Sequence, residues 1–146
     1  MKIVECHSHL NGLEWILVHR PEIWEEVKKT IASVDASISK TKVSKEKTMK
    51  GKTLYSPPDL NNQFKQLFNL NGWNEKRVNY WVTDDFKLIR KTLHLSSVEQ
   101  KKLIQSELKV PIKSHNQTDF VKENVAIEVQ FGKYSFIPYD MFVKHL

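Results

Sequence analysis

Two carboxylates in the last third of the chain have the residue types and the spacing of a metal site. Asp119 comes first, and Glu128 follows nine residues later inside the alternating apolar run 125–131. Side chains of a strand point alternately to its two faces, so Glu128 lies on the face opposite the valines of that run. A carboxylate within so apolar a strand is costly unless it is paired or binds a cation.

The residues alone allow two interpretations of this pair. Carboxylates that converge from adjacent strands can hold a divalent metal against a phosphate. Alternatively the pair is structural, with Asp119 capping a turn and Glu128 forming a salt bridge to Lys122 or Lys133. Either interpretation depends on the elements that carry the two acids.

Periodicity, capping residues and turn residues predict the elements around this pair. Residues 2–9 are predicted to be a strand or a short extended entry. The other predicted strands are residues 78–82 and the two strands that carry the acids. The predicted helices begin at Pro21, at Asp59 as the N-cap after two prolines, at Ser96 in a capping box with Glu99, and at Pro138. Asn71 and Gly72 are typical of a helix end.

The order acid, spacer, acid-x-Gln resembles the active site of PD-(D/E)XK nucleases, with Gln130 where most of them carry Lys. The strand Glu128-Val129-Gln130-Phe131 with its upstream Asp119 is similar to the BglII and BstYI group of type II restriction endonucleases. The likeness is strongest to BstYI and covers nearly the whole chain, including residues 2–5, 8–14, 21–26, 44–48 and 116–122.

The resemblance implies an α/β fold, with a restriction-endonuclease-like mixed central sheet flanked by helices on both faces. It implies that Asp119, Glu128 and the main-chain carbonyl of Val129 bind Mg²⁺, whose preferred ligands are hard oxygens. Gln130 would position the attacking water. The expected activity is Mg²⁺-dependent cleavage of double-stranded DNA at a palindromic site with a GATC core, within a restriction-modification system. A homodimer is expected, since two-fold protein symmetry matches a palindrome.

Four further residues are candidates for DNA contact. Lys133 and Ser135 follow the active strand, in a segment that faces the major groove in enzymes of this architecture. Lys113 and Asn116 precede the Asp119 strand and are candidates for phosphate contact. The alternative for Lys133 and Ser135 is an ordinary surface turn after Gly132.

Length and composition set the broad class. The 146 residues are enough for one core, and we expect a single domain over residues 1–146. No apolar run approaches the ~18 residues that span a membrane. The single cysteine, Cys6, excludes an internal disulfide and fits a reducing, cytoplasmic location. The net charge of +6 and the pI of about 9.3 favour a polyanionic partner such as DNA.

The basic segment from Ser37 to Thr53 carries six lysines opposed only by Glu46. One interpretation is a solvated, mobile surface segment. The other is a basic arm, mobile in the free protein, that lies along phosphates and becomes ordered on binding.

The resemblance also implies that the chain is truncated at its C-terminus, because members of the group continue beyond the catalytic hairpin into a dimer interface. The alternative function is therefore a catalytically incompetent DNA-binding or dimerising fragment. A third possibility is a repair or junction nuclease of the PD-(D/E)XK type.

Overall fold

The computed structural model describes residues 1–132 and 137–139. The chain divides into two compact units, Met1–Asn74 and Glu75–Leu146. The expectation of a single domain over residues 1–146 stays a prediction. In the described part of the chain, no helix is both long and apolar enough to cross a membrane.

Helices dominate the first unit. They are α1 (Gly12–His19), α2 (Pro21–Ser33) and α3 (Pro57–Leu70), with short 3₁₀ helices at Ala36–Ser39 and Lys47–Met49. Strands β1 (Lys42–Val43) and β2 (Thr53–Leu54) lie between α2 and α3 in the chain and pair antiparallel with each other.

The core of the first unit forms where α2 packs against α3. Ile23 and Val27 of α2 are buried, as are Phe64 and Phe68 of α3. Trp73 is fully buried and meets Phe68 edge to face, with ring centroids 5.4 Å apart. Its indole N–H donates to the Glu26 carboxylate, so the polar end of this large side chain is satisfied.

The second unit is built on a three-stranded sheet in the order β3–β4–β5. The strands are β3 (Asn74–Val82), β4 (Ile112–Lys122) and β5 (Val125–Ile127). Helices α4 (Phe86–Thr92) and α5 (Ser97–Ser106) connect β3 to β4, and α6 (Ile137–Tyr139) follows β5. The α/β class predicted from the sequence is confirmed.

A buried glutamine joins the helices of the second unit to its sheet. The Gln100 side chain accepts a hydrogen bond from the Trp81 backbone N–H (3.0 Å) and donates to the Thr92 carbonyl (3.1 Å). Because Thr92 ends α4 and Trp81 lies in β3, one side chain of α5 links three elements. Buried main-chain groups of α4 and β3 are satisfied in this way.

Several predicted elements are confirmed. Pro21 begins α2, β3 contains residues 78–82, and the Ser96–Glu99 capping box opens α5 with both of its hydrogen bonds. Gly72, at φ 81°, follows the end of α3 as predicted. The left-handed conformation at such a position favours glycine.

Other predictions are wrong. The strand alternative for residues 2–9 fails, since no strand forms there, and α3 is capped by Ser56 rather than Asp59. The Ser56 hydroxyl accepts the Asp59 backbone N–H at 3.4 Å, which leaves Asp59 in the first turn. Two prolines fit there because the first helical N–H groups have no partner within the helix. The helix predicted from Pro138 onward lies mostly outside the described residues.

The basic segment is a hairpin rather than an arm without regular structure. Lys42 pairs with Leu54 and Val43 with Thr53. The Ser44 N–H donates to the Lys52 carbonyl (2.9 Å), and the Gly51 N–H donates to the Ser44 carbonyl (3.1 Å). Main-chain hydrogen bonds thus organise the segment, and the expectation that it is mobile in the free protein stays a prediction.

Candidate active site

The hairpin that joins β4 to β5 positions the two acids. Its register pairs Lys122 with Val125 and Phe120 with Ile127, so the loop contains only Glu123 and Asn124. Both loop residues have positive φ, 48° and 64°. Two left-handed residues are the signature of a type I′ turn, whose twist matches that of the flanking strands. The short loop therefore fixes the register of the whole hairpin.

That register sets Asp119 across from Glu128. One step beyond the Phe120–Ile127 pair brings these two positions opposite each other, and opposed Cα atoms of antiparallel neighbours are about 4.5–5.5 Å apart. The Asp119 side chain crosses this gap: its Oδ2 accepts the backbone N–H of Val129 at 3.0 Å. Both acidic residues are half-buried. The hairpin thus brings together the two carboxylate residues that the sequence singled out.

The strand that was predicted to carry Glu128 is shorter than expected. β5 ends at Ile127, so Glu128 lies immediately after the strand instead of in its middle. The Asp119–Val129 hydrogen bond explains the difference. A side-chain oxygen takes the N–H that a main-chain carbonyl would accept if the ladder continued. Strand β5 therefore ends where Asp119 contacts the segment that carries Glu128.

The donors near this hairpin suit a hard divalent cation. A carboxylate has two oxygens with about four acceptor positions, so the Val129 N–H uses only part of the capacity of Asp119. Glu128 brings a second carboxylate to the same end of the hairpin. Within residues 1–132 and 137–139, no group of three or more His, Cys, Asp or Glu side chains has metal-binding geometry. The donor set of two carboxylates and one main-chain carbonyl is compatible with that finding.

The remaining candidate residues are spread over β4 and beyond it. Gln130 is exposed, two residues past Glu128. Lys113 is exposed on β4, whereas Asn116 is half-buried and lines a cavity of about 370 Å³ between β3 and the helices α4 and α5. Lys133 and Ser135 lie outside the described residues. Their expected contacts with DNA stay predictions, as do those of Lys113 and Asn116.

Sequence reasoning missed two contacts that shape this region. The Val129 N–H was not recognised as the partner of Asp119. The register that reveals this contact is set by the two-residue turn at Glu123 and Asn124, which was not identified from the sequence. The Ser114 hydroxyl, on β4, donates to the Tyr80 hydroxyl of β3 at 3.2 Å. No spacing signal in the sequence connects those two residues.

Comparison with known proteins confirms the resemblance to the BglII group, whereas the likeness to BstYI stays a prediction. Residues 4–146 match the family described as restriction endonuclease BglII/BglIII. No curated protein matches the chain significantly. The family match covers nearly all of the chain, including the β4–β5 hairpin with Asp119 and Glu128. Members of this family bind DNA and generally use a divalent metal. The chain therefore belongs to the BglII restriction endonuclease family and is a type II site-specific deoxyribonuclease.

Proposed function

We propose that this enzyme is a PD-(D/E)XK nuclease that hydrolyses double-stranded DNA with Mg²⁺ at a palindromic site with a GATC core. The observation that carries the proposal is the hydrogen bond from the Val129 N–H to Asp119, which ties one acidic residue to the segment that bears the other. The GATC core rests on the resemblance of the Glu128-to-Phe131 strand to the BglII and BstYI group.

Asp119 and Glu128 hold the metal ion in this proposal, and the Val129 carbonyl adds a third oxygen. All three donors are hard oxygens, which Mg²⁺ prefers over nitrogen or sulfur. When bound, the ion supplies Lewis-acid activation of water and stabilises negative charge on the phosphate. The hydrogen bond from Val129 holds the Asp119 carboxylate in place before any metal binds, which lowers the cost of assembling the site.

Gln130 positions the water that attacks phosphorus. Its side-chain amide has both donors and an acceptor, so it can orient a water by hydrogen bonding without adding charge. It is exposed, as a residue that meets solvent water and DNA must be. In this arrangement the charge that a lysine would supply has to come from the cation.

Substrate contact is assigned to four residues. Lys133 and Ser135 contact base edges, and Lys113 and Asn116 contact backbone phosphates. A two-fold symmetric homodimer would present this set once to each half of a palindrome. Base contacts would set which sequence is cut, whereas phosphate contacts would set the register on the duplex.

A supercoiled plasmid assay tests the proposal. The wild-type chain is incubated with Mg²⁺ or with EDTA, beside Glu128→Gln and the matched charge-loss control Glu107→Gln, an exposed residue at the end of α5. We expect discrete fragments only with Mg²⁺, retained in the control and lost in Glu128→Gln. Smearing would indicate a nuclease without site specificity. An unchanged plasmid under all conditions would indicate a DNA-binding fragment, and full activity in Glu128→Gln would contradict the assigned metal ligand.

A further inference from the structure

We propose that the hairpin formed by residues 40–54, here called the lysine hairpin, is a preformed surface for the phosphate backbone of duplex DNA. The inference deepens the proposed function by locating a DNA contact in the first structural unit, and it rests on that function only for the identity of the polyanion. It does not depend on how the acidic residues of the second unit act.

Charge is the first reason. Residues 40–52 contain six lysines and one acid, Glu46, so their net charge is +5 of the +6 carried by the whole chain. The other residues together, with 17 basic and 16 acidic side chains, contribute only +1. All six lysines are exposed. The basic character of this protein is thus a property of one hairpin and not of its surface in general.

The second reason is that the lysine hairpin is closed by its own backbone. Beyond the β1–β2 pairs, the Met49 N–H donates to the Glu46 carbonyl and the Lys52 N–H donates to the Met49 carbonyl, both at 3.0 Å. Gly51 at φ 81° makes the tight return to Ser44, a conformation that side chains disfavour. Ser44 is only 4% exposed. The loop that carries the lysines is therefore a structured turn.

The third reason is its attachment to α3. The fully buried Ser39 accepts hydrogen bonds at its carbonyl from the Ser56 N–H (2.7 Å) and at its hydroxyl from the Gln63 amide (2.7 Å). The Thr41 hydroxyl donates to the Asp59 carboxylate at 2.5 Å. Both ends of the lysine hairpin are thus held at the N-terminal half of α3.

These features fit a phosphate backbone. Five net positive charges within thirteen residues repel one another, and a polyanion relieves that repulsion. Duplex DNA presents one charge per ~1.7 Å of its axis and releases counterions when lysines neutralise phosphates. A preformed turn loses less conformational entropy on binding than a flexible arm would. Exposed lysines without a groove-reading element favour contact with phosphates over readout of bases.

The test is the salt dependence of duplex binding, measured by fluorescence anisotropy in EDTA so that no cleavage occurs. The variant Lys45→Gln/Lys47→Gln/Lys50→Gln neutralises the exposed loop. A matched control neutralises three exposed helical lysines instead, Lys65→Gln/Lys87→Gln/Lys91→Gln. A second control, with arginine at positions 45, 47 and 50, keeps the charge. Circular dichroism verifies that all four proteins are folded.

We expect the slope of log K against log salt to become shallower by roughly 0.9 for each phosphate that the variant no longer neutralises, up to about 2.7 for the triple variant. At about 0.1 M salt this corresponds to a loss of affinity of roughly tenfold or more. The helical control and the arginine control should keep the wild-type slope. Equal losses of affinity in the loop variant and the helical control, or an unchanged slope in the loop variant, would overturn the proposal. Because binding is measured without metal, failure of the Asp119 and Glu128 assignment would leave this result unaffected.

Discussion

Asp119 has one observed contact and one proposed role, and substitution can separate the two. Its carboxylate accepts the Val129 N–H at 3.0 Å, and its charge is proposed to bind the cation. Asp119→Asn keeps an oxygen acceptor at the same place but removes the charge. Asp119→Ala removes both the acceptor and the charge.

The expected magnitudes differ for the two variants. A hydrogen bond to a charged acceptor contributes about 1.5–3 kcal/mol, and one between neutral groups about 0.5–1.5 kcal/mol. Asp119→Asn should therefore lower the free energy of unfolding by about 1 kcal/mol. Asp119→Ala, which leaves the half-buried N–H of Val129 without this partner, should lower it by about 2 kcal/mol. Catalysis should suffer much more, since losing a metal carboxylate costs several kcal/mol, and about 3 kcal/mol already corresponds to a rate loss of roughly 10²-fold.

Three measurements on the same proteins separate these effects: urea unfolding, cleavage of plasmid under single-turnover conditions with Mg²⁺, and duplex binding in EDTA. The matched control is Asp84→Asn, which makes the same chemical change at an exposed position of the second unit. That control should cleave at the wild-type rate. Duplex binding by both Asp119 variants should be unchanged or tighter, because each removes negative charge from the surface proposed to face phosphates.

One result would refute this account of Asp119. If Asp119→Asn kept more than about a tenth of the wild-type cleavage rate, the cost would be under ~1.4 kcal/mol, too small for a missing metal ligand. The carboxylate would then be a structural acceptor for Val129. In that case only Asp119→Ala should impair the enzyme, and in proportion to its loss of stability.

Two further predictions concern stability. Hydrogen bonds from the Ser96 hydroxyl and N–H lower the pKa of Glu99. The capping box should therefore stabilise the native state above pH about 4.5 and lose that contribution as the pH falls through the lowered pKa. In thermal melts across this pH range, Ser96→Ala should flatten the pH dependence of stability and lower the free energy of unfolding by about 1 kcal/mol at neutral pH. Asn124 has φ 64° in the β4–β5 turn, so Asn124→Gly should raise the free energy of unfolding by up to about 1 kcal/mol, seen as a slightly higher melting temperature, with cleavage unchanged. A clear destabilisation would show that the turn is not under left-handed strain.

The sequence predicted those elements whose signals are local. Pro21 with its helical apolar spacing, and Ser96 with Glu99, carry start signals within a few residues, and both helices form there. Helix α1 was missed because its apolar residues surround the helix without a single stripe, and none of them is buried. Helix α4 was also missed, although Asp85 caps it by accepting two backbone N–H groups. That cap is a signal that the sequence does contain.

The acidic pair was predictable, but its geometry was not. Residue types and spacing singled out Asp119 and Glu128, and the resemblance to restriction endonucleases gave them roles. The exact strand end depends on which acceptor takes the Val129 N–H, and a side chain competes there with the main chain. Long-range contacts of this kind, like the Ser114–Tyr80 hydrogen bond across the sheet, leave no periodic trace in the sequence.

The distribution of charge has a consequence for how this enzyme holds its substrate. Two carboxylates at the site repel phosphates unless a cation is bound, and outside the lysine hairpin the chain is almost neutral. If the lysine hairpin binds phosphates as proposed, attraction to DNA before metal binding comes mainly from residues 40–52, since their net charge of +5 is nearly the whole excess. Such a contact is independent of sequence, so it favours encounter and movement along the duplex. In this proposal, recognition of the cleavage site falls to other side chains, near the β4–β5 hairpin, whose contacts reach base edges.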